Sequence, residues 1–199
     1  MRRHIIGSQC VTQTNMLAPL DDGYKDGAKE KLGVHTPAGI YRGGKYSIYE
    51  GGTRTPFITC WPGTIKPGLS EQVVCTVDLP ASMAALGGQK LEGDACPDSF
   101  NLLPVLLGKP GARGRDHLVQ QPNKGPTLAL RIGDWKVLSY ANAKPIKSLT
   151  YEKKEGKYEL YNLADDPGER KNLVTQAPER LKEMLARLEA IKQAGRSRP

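Results

Sequence analysis

The sequence contains no apolar run approaching the roughly 20 residues a helix needs to cross a bilayer, so no membrane partner is expected. Met1-Arg2-Arg3 is basic enough to open an export signal, but Ile5-Ile6 is too short to continue one, so no signal peptide is expected. Aromatic residues are scarce at 6% and are not interleaved with the cations, as a base-stacking platform would require. The net charge of +8 is scattered, with small clusters at 144–157 and 196–198, and no nucleic-acid partner is expected. The four cysteines, Cys10, Cys60, Cys75 and Cys96, form no C-x-x-C pair. That spacing argues against zinc, and in a chain this long it implies no disulfide framework; three pairings remain open. Cys75, set in Val73-Val74-Cys75-Thr76-Val77, reads as a small core residue. There is no internal repeat and no low-complexity tract.

At 199 residues the chain is long enough for one large domain or two small ones. Residues 1–20 lack any acidic side chain until Asp21 and show neither helical nor strand periodicity. Residues 21–55 are rich in Gly, Lys and Asp and read as a long loop, of the kind that is functional or disordered in compact proteins. Pro56 to Trp61 is a short apolar run stopped by Pro62-Gly63, a buried strand. Asp78 reads as an N-cap with Pro80 in the first turn, followed by Leu79, Met83 and Leu86 at helical spacing and stopped by Gly87-Gly88. A second short helix is expected from Asp98 or Ser99 to Gly108, with Pro104 in its first turns.

From residue 109 the character changes. Residues 109–125 read as a polar linker. Thr127–Ile132 and Trp135–Tyr140 are expected strands joined by Gly133-Asp134, a two-residue hairpin signal, and Tyr158–Leu163 is a third. Leu181, Met184, Leu185, Leu188 and Ile191 form one apolar stripe, predicting a helix over 178–194 with Pro178 in its first turn and Gly195 beyond its end. The tail beyond is expected to fray. Antiparallel strands with one covering helix make a small α+β unit.

The richest stretch is Arg42-Gly43-Gly44-Lys45-Tyr46-Ser47-Ile48-Tyr49-Glu50-Gly51-Gly52-Thr53-Arg54. Paired glycines let a backbone turn sharply and approach a ligand closely, because no Cβ intervenes. Lys45 and Arg54, cations flanking that loop, suit an anionic substrate or a buried counter-ion. With Pro56-Phe57 and Trp61-Pro62-Gly63 behind it, this loop resembles the sulfatase family. The resemblance continues through Asp78-Leu79, Asp98-Ser99, Leu107-Gly108, Arg131 to Lys136, Glu159 to Leu163, and Asp165-Asp166-Pro167-Gly168-Glu169 with Asn172-Leu173. It runs from about Asp21 to Leu188.

The resemblance implies the C-terminal part of an alkaline-phosphatase-like α/β fold, ending in a small α+β domain whose antiparallel sheet packs on a C-terminal helix. Residues 21–108 are then the remnant of the large domain, 109–125 the linker and 126–199 the small domain, with 1–20 unmatched. It also implies a sulfate ester substrate, a formylglycine nucleophile and a calcium ion in the complete enzyme. Lys45 corresponds to the lysine that contacts the sulfate and its bridging oxygen, where a compact ammonium suits a leaving group gaining charge. His35 falls in a segment that shapes substrate pockets. Gly43, Gly44, Glu50, Gly51, Gly52 and Arg54 are expected to hold the loop, with Glu50 and Arg54 pairing with each other or with backbone.

Two family features are missing. No Cys or Ser begins a complete C/S-x-P/A-x-R motif; Cys60-Trp61-Pro62-Gly63-Thr64 has threonine where arginine is needed and lies too far downstream. Where relatives carry S-D-N-G, this chain has Gln13-Thr14-Asn15-Met16, and Asp21-Asp22-Gly23 reads as a turn. Neither calcium nor formylglycine is therefore expected to be held by this chain alone. The competing readings are a non-catalytic basic domain that binds sulfated or other anionic polymers, and a phosphoester or phosphonoester hydrolase relative.

Overall fold

Among the residues described by the computed structural model (4–9, 38–44, 47–122, 126–140 and 157–198), seven strands and four α-helices are present. They fall into two compact units. Unit 1 comprises Met1–Cys10, Arg54–Leu118 and Ala190–Pro199; unit 2 comprises Val11–Thr53 and Val119–Glu189.

Unit 1 carries a three-stranded sheet of order β2-β1-β3, built from β1 (His4–Gln9), β2 (Arg54–Thr59) and β3 (Leu69–Val74). β1 pairs antiparallel with β2, from His4 opposite Thr59 to Gln9 opposite Arg54, and parallel with β3. The N-terminal segment, expected to lack strand structure, thus contains one. Its apolar pattern is only two residues long, so the pairing is a main-chain matter that periodicity does not register. The strand expected at Pro56–Trp61 lies two residues earlier, and β3 was not expected at all.

A 3₁₀ turn (Thr76–Asp78) leads into α2 (Leu79–Leu86), with Pro80 in the first turn as expected. The four-residue α1 (Glu50–Thr53) belongs to unit 2. Asp78 does not cap α2 with its side chain. Its carboxylate instead accepts from the Cys75 and Phe100 amides, at 2.9 and 3.0 Å, and pairs with Arg115 Nη1 at 2.8 Å. The orphan amide of Ala81 is satisfied by Ser99 Oγ at 3.0 Å. One buried carboxylate therefore ties three distant segments. α3 (Leu103–Leu106) is shorter than the expected second helix and has Pro104 in its first turn. Val74, Leu102, Val105 and Leu106 form the core of this unit, with Phe57, Leu79 and Phe100 packed against it, and Cys75 is buried as expected.

Ser197 and Arg198, expected to fray, are instead tied down. Arg198 donates from Nη2 to the Gly93 and Ala95 carbonyls, at 2.8 and 3.2 Å, and the Ser197 amide donates to Asp98 Oδ1 at 2.7 Å. A guanidinium fork aimed at loop carbonyls supplies the order that the apolar pattern does not predict.

Unit 2 is built on a four-stranded sheet of order β4-β5-β6-β7. β4 (His117–Gln120) lies inside the stretch expected to be a linker and begins in unit 1. β5 (Leu128–Ile132) and β6 (Trp135–Ser139) pair antiparallel across Gly133-Asp134, the expected turn, with Gly133 at φ +56. β7 (Tyr158–Asn162) extends the ladder antiparallel to β6. Side chains alternate across a strand, so Leu130, Val137 and Leu160, paired in register, share one face and are fully buried. Trp135 lies on that face with Arg180 of α4 (Pro178–Ala194) stacked over it at 5.5 Å. Helix α4 has the predicted bounds, buries Met184 and Leu188 of the predicted stripe, and ends at Gly195, φ +66. Ala129, Arg131, Lys136, Leu138, Glu159 and Tyr161 share the opposite face.

Unit 1 leaves Ile58, Leu69, Met83 and Leu86 exposed, Leu69 by 77%. Replacing Met83 or Leu86 with Gln should therefore change stability by no more than about 0.5 kcal/mol, as surface substitutions do, while reducing binding of a hydrophobic dye. A loss above 1 kcal/mol on denaturant titration would mean that these side chains are covered in solution.

Candidate functional site

The glycine loop lies in unit 2, against the second face of the sheet. Its return arm is the short helix α1, and strand β2 begins at Arg54, where a loop was expected to run on to residue 55. Close packing explains three of the four glycines. Gly43 sits at φ +75, and a Cβ there would meet Ser47 Oγ at 2.3 Å. The Gly51 amide donates to the Arg42 carbonyl at 2.8 Å, and a Cβ on Gly51 would come within 2.5 Å of that same oxygen. A Cβ on Gly52 would lie 2.3 Å from the Gly44 carbonyl oxygen and 2.4 Å from that of Ser47. Real Cβ atoms do not approach backbone that closely, so the two arms of the loop touch because they carry no side chains. Gly44 and Ser47 are joined by a 2.9 Å bond from the Ser47 amide, and Ser47 Oγ accepts from the Tyr49 amide at 3.1 Å. Lys45 lies between these two residues in sequence; Lys45 and His35 are both outside the described residues.

Beneath the loop is an ion cluster. The Lys136 side chain, on β6, is fully buried. Its Nζ donates to the Ile48 carbonyl and to Glu50 Oε1, both at 2.9 Å, and pairs with Glu169 Oε1 at 2.9 Å. Three oxygens meet an ammonium that has three donors. Arg131 Nη1 stands 3.6 Å from Glu50 Oε2, so two cations balance two carboxylates. Glu169 Oε2 accepts from the Glu50 amide at 2.5 Å. The Glu50 carboxylate goes to Lys136 and Arg131, which the local sequence does not contain. Arg54 falls in the other unit, at the start of β2.

Beside the ion cluster lies a tyrosine cluster. Tyr49 and Tyr161 both donate to Glu159 Oε2, at 2.8 and 2.9 Å, and the Tyr49 and Tyr140 hydroxyls are 3.3 Å apart. Arg42 stacks over the Tyr49 ring at 3.9 Å and donates to the Glu169 carbonyl at 2.8 Å and to the Tyr161 hydroxyl at 3.0 Å. Ile48, Tyr49, Ala129, Leu138 and Leu163 fill the apolar space between.

Sequence reasoning quoted Arg131, Lys136, Glu159 and Glu169 without giving them roles. A signal was present. Lys136 stands between Trp135 and Val137 in a strand without any other charge, and a lysine on a covered strand requires a buried counter-ion.

Burial acts against the Lys136 ammonium, but the carboxylates of Glu169 and Glu50 outweigh it and hold its pKa above the ordinary 10.5. Burial is also the main force raising Glu169 above the usual carboxylate range, with Lys136 opposing it and Glu50 adding to it. The phenols of Tyr49, Tyr140 and Tyr161 are likewise raised above 10.0, chiefly by burial.

No group of three or more His, Cys, Asp or Glu side chains able to hold a metal occurs among the described residues. Glu50 and Glu169 do not fit a calcium ion, since Lys136 already occupies the space between their oxygens.

A twisted antiparallel sheet with one helix on one face and a glycine-rich loop clamped on the other defines the class of C-terminal unit present here. No protein-family model matches the chain. Curated relatives and solved structures do. An N-acetylgalactosamine-6-O-sulfatase of Bacteroides thetaiotaomicron is 45% identical over 175 residues, covering 87% of this chain and 34% of that protein. Human arylsulfatase A is 32% identical over 176 residues, covering 77% of this chain and 34% of that protein. A solved Bacteroides thetaiotaomicron sulfatase from a glycosaminoglycan-metabolism locus matches with a TM-score of 0.76 at 44% identity, over 88% of this chain and 37% of that one. A Pseudoalteromonas sulfatase shares the fold, with a TM-score of 0.60. The chain belongs to the sulfatase family. It spans about a third of the length of the relatives it matches, and the match is to their C-terminal part.

Two outcomes are expected from this geometry. Gly52→Ala should loosen the loop, because its methyl has only carbonyl oxygens to displace; faster amide exchange at Gly51 and residue 52 would show this, and unchanged exchange would contradict it. Alkaline pH should unfold unit 2. The folded state retains protons on Lys136 and the three tyrosines that the unfolded chain releases near 10.0 to 10.5. Their contribution is thus full below about pH 10 and is lost as pH rises further. Ring resonances of Tyr49, Tyr140 and Tyr161 should report ionisation only together with unfolding, and ionisation of any of the three in a still-folded chain would refute the assignment.

Proposed function

We propose that this chain is the C-terminal part of a carbohydrate sulfate-ester hydrolase and contributes the glycine loop, with Lys45, to the sulfate-binding side of the active site. The observation that carries this reading is the 45% identity to an N-acetylgalactosamine-6-O-sulfatase, sustained over 87% of the chain. The loop geometry supports it. Residues flanking Lys45 are held by backbone bonds and by glycine contacts that leave no slack, the kind of scaffold that a positioned ammonium needs. In this reading residues 21–108 are the last elements of the large domain, and 126–199 are the small one.

In a complete enzyme of this kind, calcium and formylglycine would supply metal activation and the nucleophile. The role assigned to this chain is electrostatic. Lys45 would donate to the sulfate and to the bridging oxygen, and its contact strengthens as charge gathers on the leaving group. Such an interaction acts mainly on kcat.

The chain alone should hydrolyse aryl sulfates no faster than background, because several catalytic parts are missing together. Calcium-dependent turnover by the purified 199-residue chain, abolished by Lys45→Ala, would overturn that expectation. When the N-terminal two thirds of the Bacteroides relative is joined to this chain and formylglycine is installed, Lys45→Ala should lower kcat by about 10²-fold or more. The loss should be larger on substrates with poor leaving groups. Lys45→Arg should restore little, because a planar guanidinium does not replace a compact ammonium at a single oxygen. An unchanged kcat for Lys45→Ala on a poor-leaving-group substrate would remove Lys45 from the sulfate site.

A further inference from the structure

We propose that Lys136 is a positioning residue for this loop: its ammonium, held beneath residues 48–50 between the Ile48 carbonyl, Glu50 and Glu169, fixes the geometry from which Lys45 reaches the substrate. The inference rests on the reading of the loop as the sulfate-facing element. It goes further by naming what holds that element in place.

Three observations converge. Lys136 is fully buried, and its three oxygen partners come from the loop and from the segment after β7. It therefore joins the loop to two separate parts of the framework, strand β6 and residue 169. Replacing a buried ion cluster by apolar groups of similar volume is often neutral or stabilising, so stability alone does not account for one here. A fixed arrangement of the groups around it does.

Glu169 adopts φ +51, a left-handed conformation that non-glycine residues avoid. In that conformation its carboxylate reaches inward to Lys136 and to the Glu50 amide, while its carbonyl accepts from Arg42 at the other end of the loop. Backbone strain at such a point is sustained where the surroundings over-determine it, and such points cluster at functional sites. Lastly, the loop arms meet without side chains at Gly51 and Gly52, so their separation is set by main-chain contact. Lys136 anchors the carbonyl just before that contact. A shift there passes directly to the residues beside Lys45.

The test separates positioning from folding. Lys136→Met alone strands two buried carboxylates and is a poor probe, so the informative variant is Lys136→Met combined with Glu50→Gln and Glu169→Gln, which removes the ammonium and both carboxylates together and leaves the partly exposed Arg131 its bond to the Gly133 carbonyl. In the 199-residue chain, amides of Ser47, Glu50 (as Gln), Gly51 and Gly52 should exchange at least tenfold faster, while those of Val137 and Leu160 in the sheet keep their protection. In the chimera with the Bacteroides N-terminal part, the triple variant should lower kcat at least tenfold with little change in KM. In a Lys45→Ala background it should add almost nothing, since a positioning residue acts only through the residue it positions.

Loop exchange unaltered in the triple variant overturns the proposal, as does a kcat loss that persists in full when Lys45 is already absent. Equal loss of protection in loop and sheet also overturns it, because the cluster would then hold the unit as a whole. If Lys45→Ala alone leaves kcat unchanged, the sulfate reading of the loop fails instead, and the exchange measurement still decides whether Lys136 orders the loop. Glu169→Gln, which keeps Lys136 and one carboxylate, serves as the control variant should the triple variant fail to fold; unaltered loop exchange in it then counts against the proposal.

Discussion

A single ammonium, that of Lys136, lets a glycine-rich segment lie flat on a β-sheet. Desolvating an ion costs several kcal/mol even after relaxation, and this one is offset by three oxygens, each 2.9 Å away. Lys136, Glu50 and Glu169 are all fully buried, away from the water that would otherwise compete. Glu50 enters the cluster through its side chain and also through its amide, which donates to Glu169. The loop is thus attached by backbone and side chain at one residue. Arg42 repeats the device at the loop's other end, stacked on Tyr49 and bonded to the Glu169 carbonyl.

The same sheet shows why both faces matter. One face carries Leu130, Val137 and Leu160 in register, all fully buried, and helix α4 reaches it through Arg180 stacked on Trp135. The other is a mixture of charges and phenols in which Glu159 takes two hydroxyl donors. A strand covered on both sides shows no clean alternation, and β6 and β7 are buried through three consecutive central residues.

Local chemistry was legible where it was strong. The α4 stripe with Pro178 and Gly195, the Gly133-Asp134 turn and the β7 run can each be read from a few neighbouring residues, and the observed elements follow them closely. The family was legible because the loop, the W-P-G and the Asp-Asp-Pro-Gly-Glu segments occur in order, and relatives at 45% and 32% identity support it. Strands β1, β3 and β4 were not legible. Leu69-Ser70-Glu71-Gln72-Val73-Val74 alternates poorly, and four residues at 117–120 hidden among prolines and cations carry little periodic signal. Such strands are fixed by the neighbour they pair with. The ion cluster was illegible for a related reason: Glu50 meets a partner 86 positions away, and no local window contains both. The lysine in an otherwise uncharged strand was the one residue that betrayed it.

The clamp at the chain's end bears on the order in which the protein is made. Ser197 and Arg198 close hydrogen bonds onto residues 93–98, a loop in which Cys96 sits at φ +51. Strands β5, β6 and β7 and helix α4 are translated between those two segments. Loop 93–98 is therefore made long before its donors and is latched only when residues 197 and 198 arrive. Loss of those two residues would unlatch the loop while leaving the β5–β7 ladder its own hydrogen bonds.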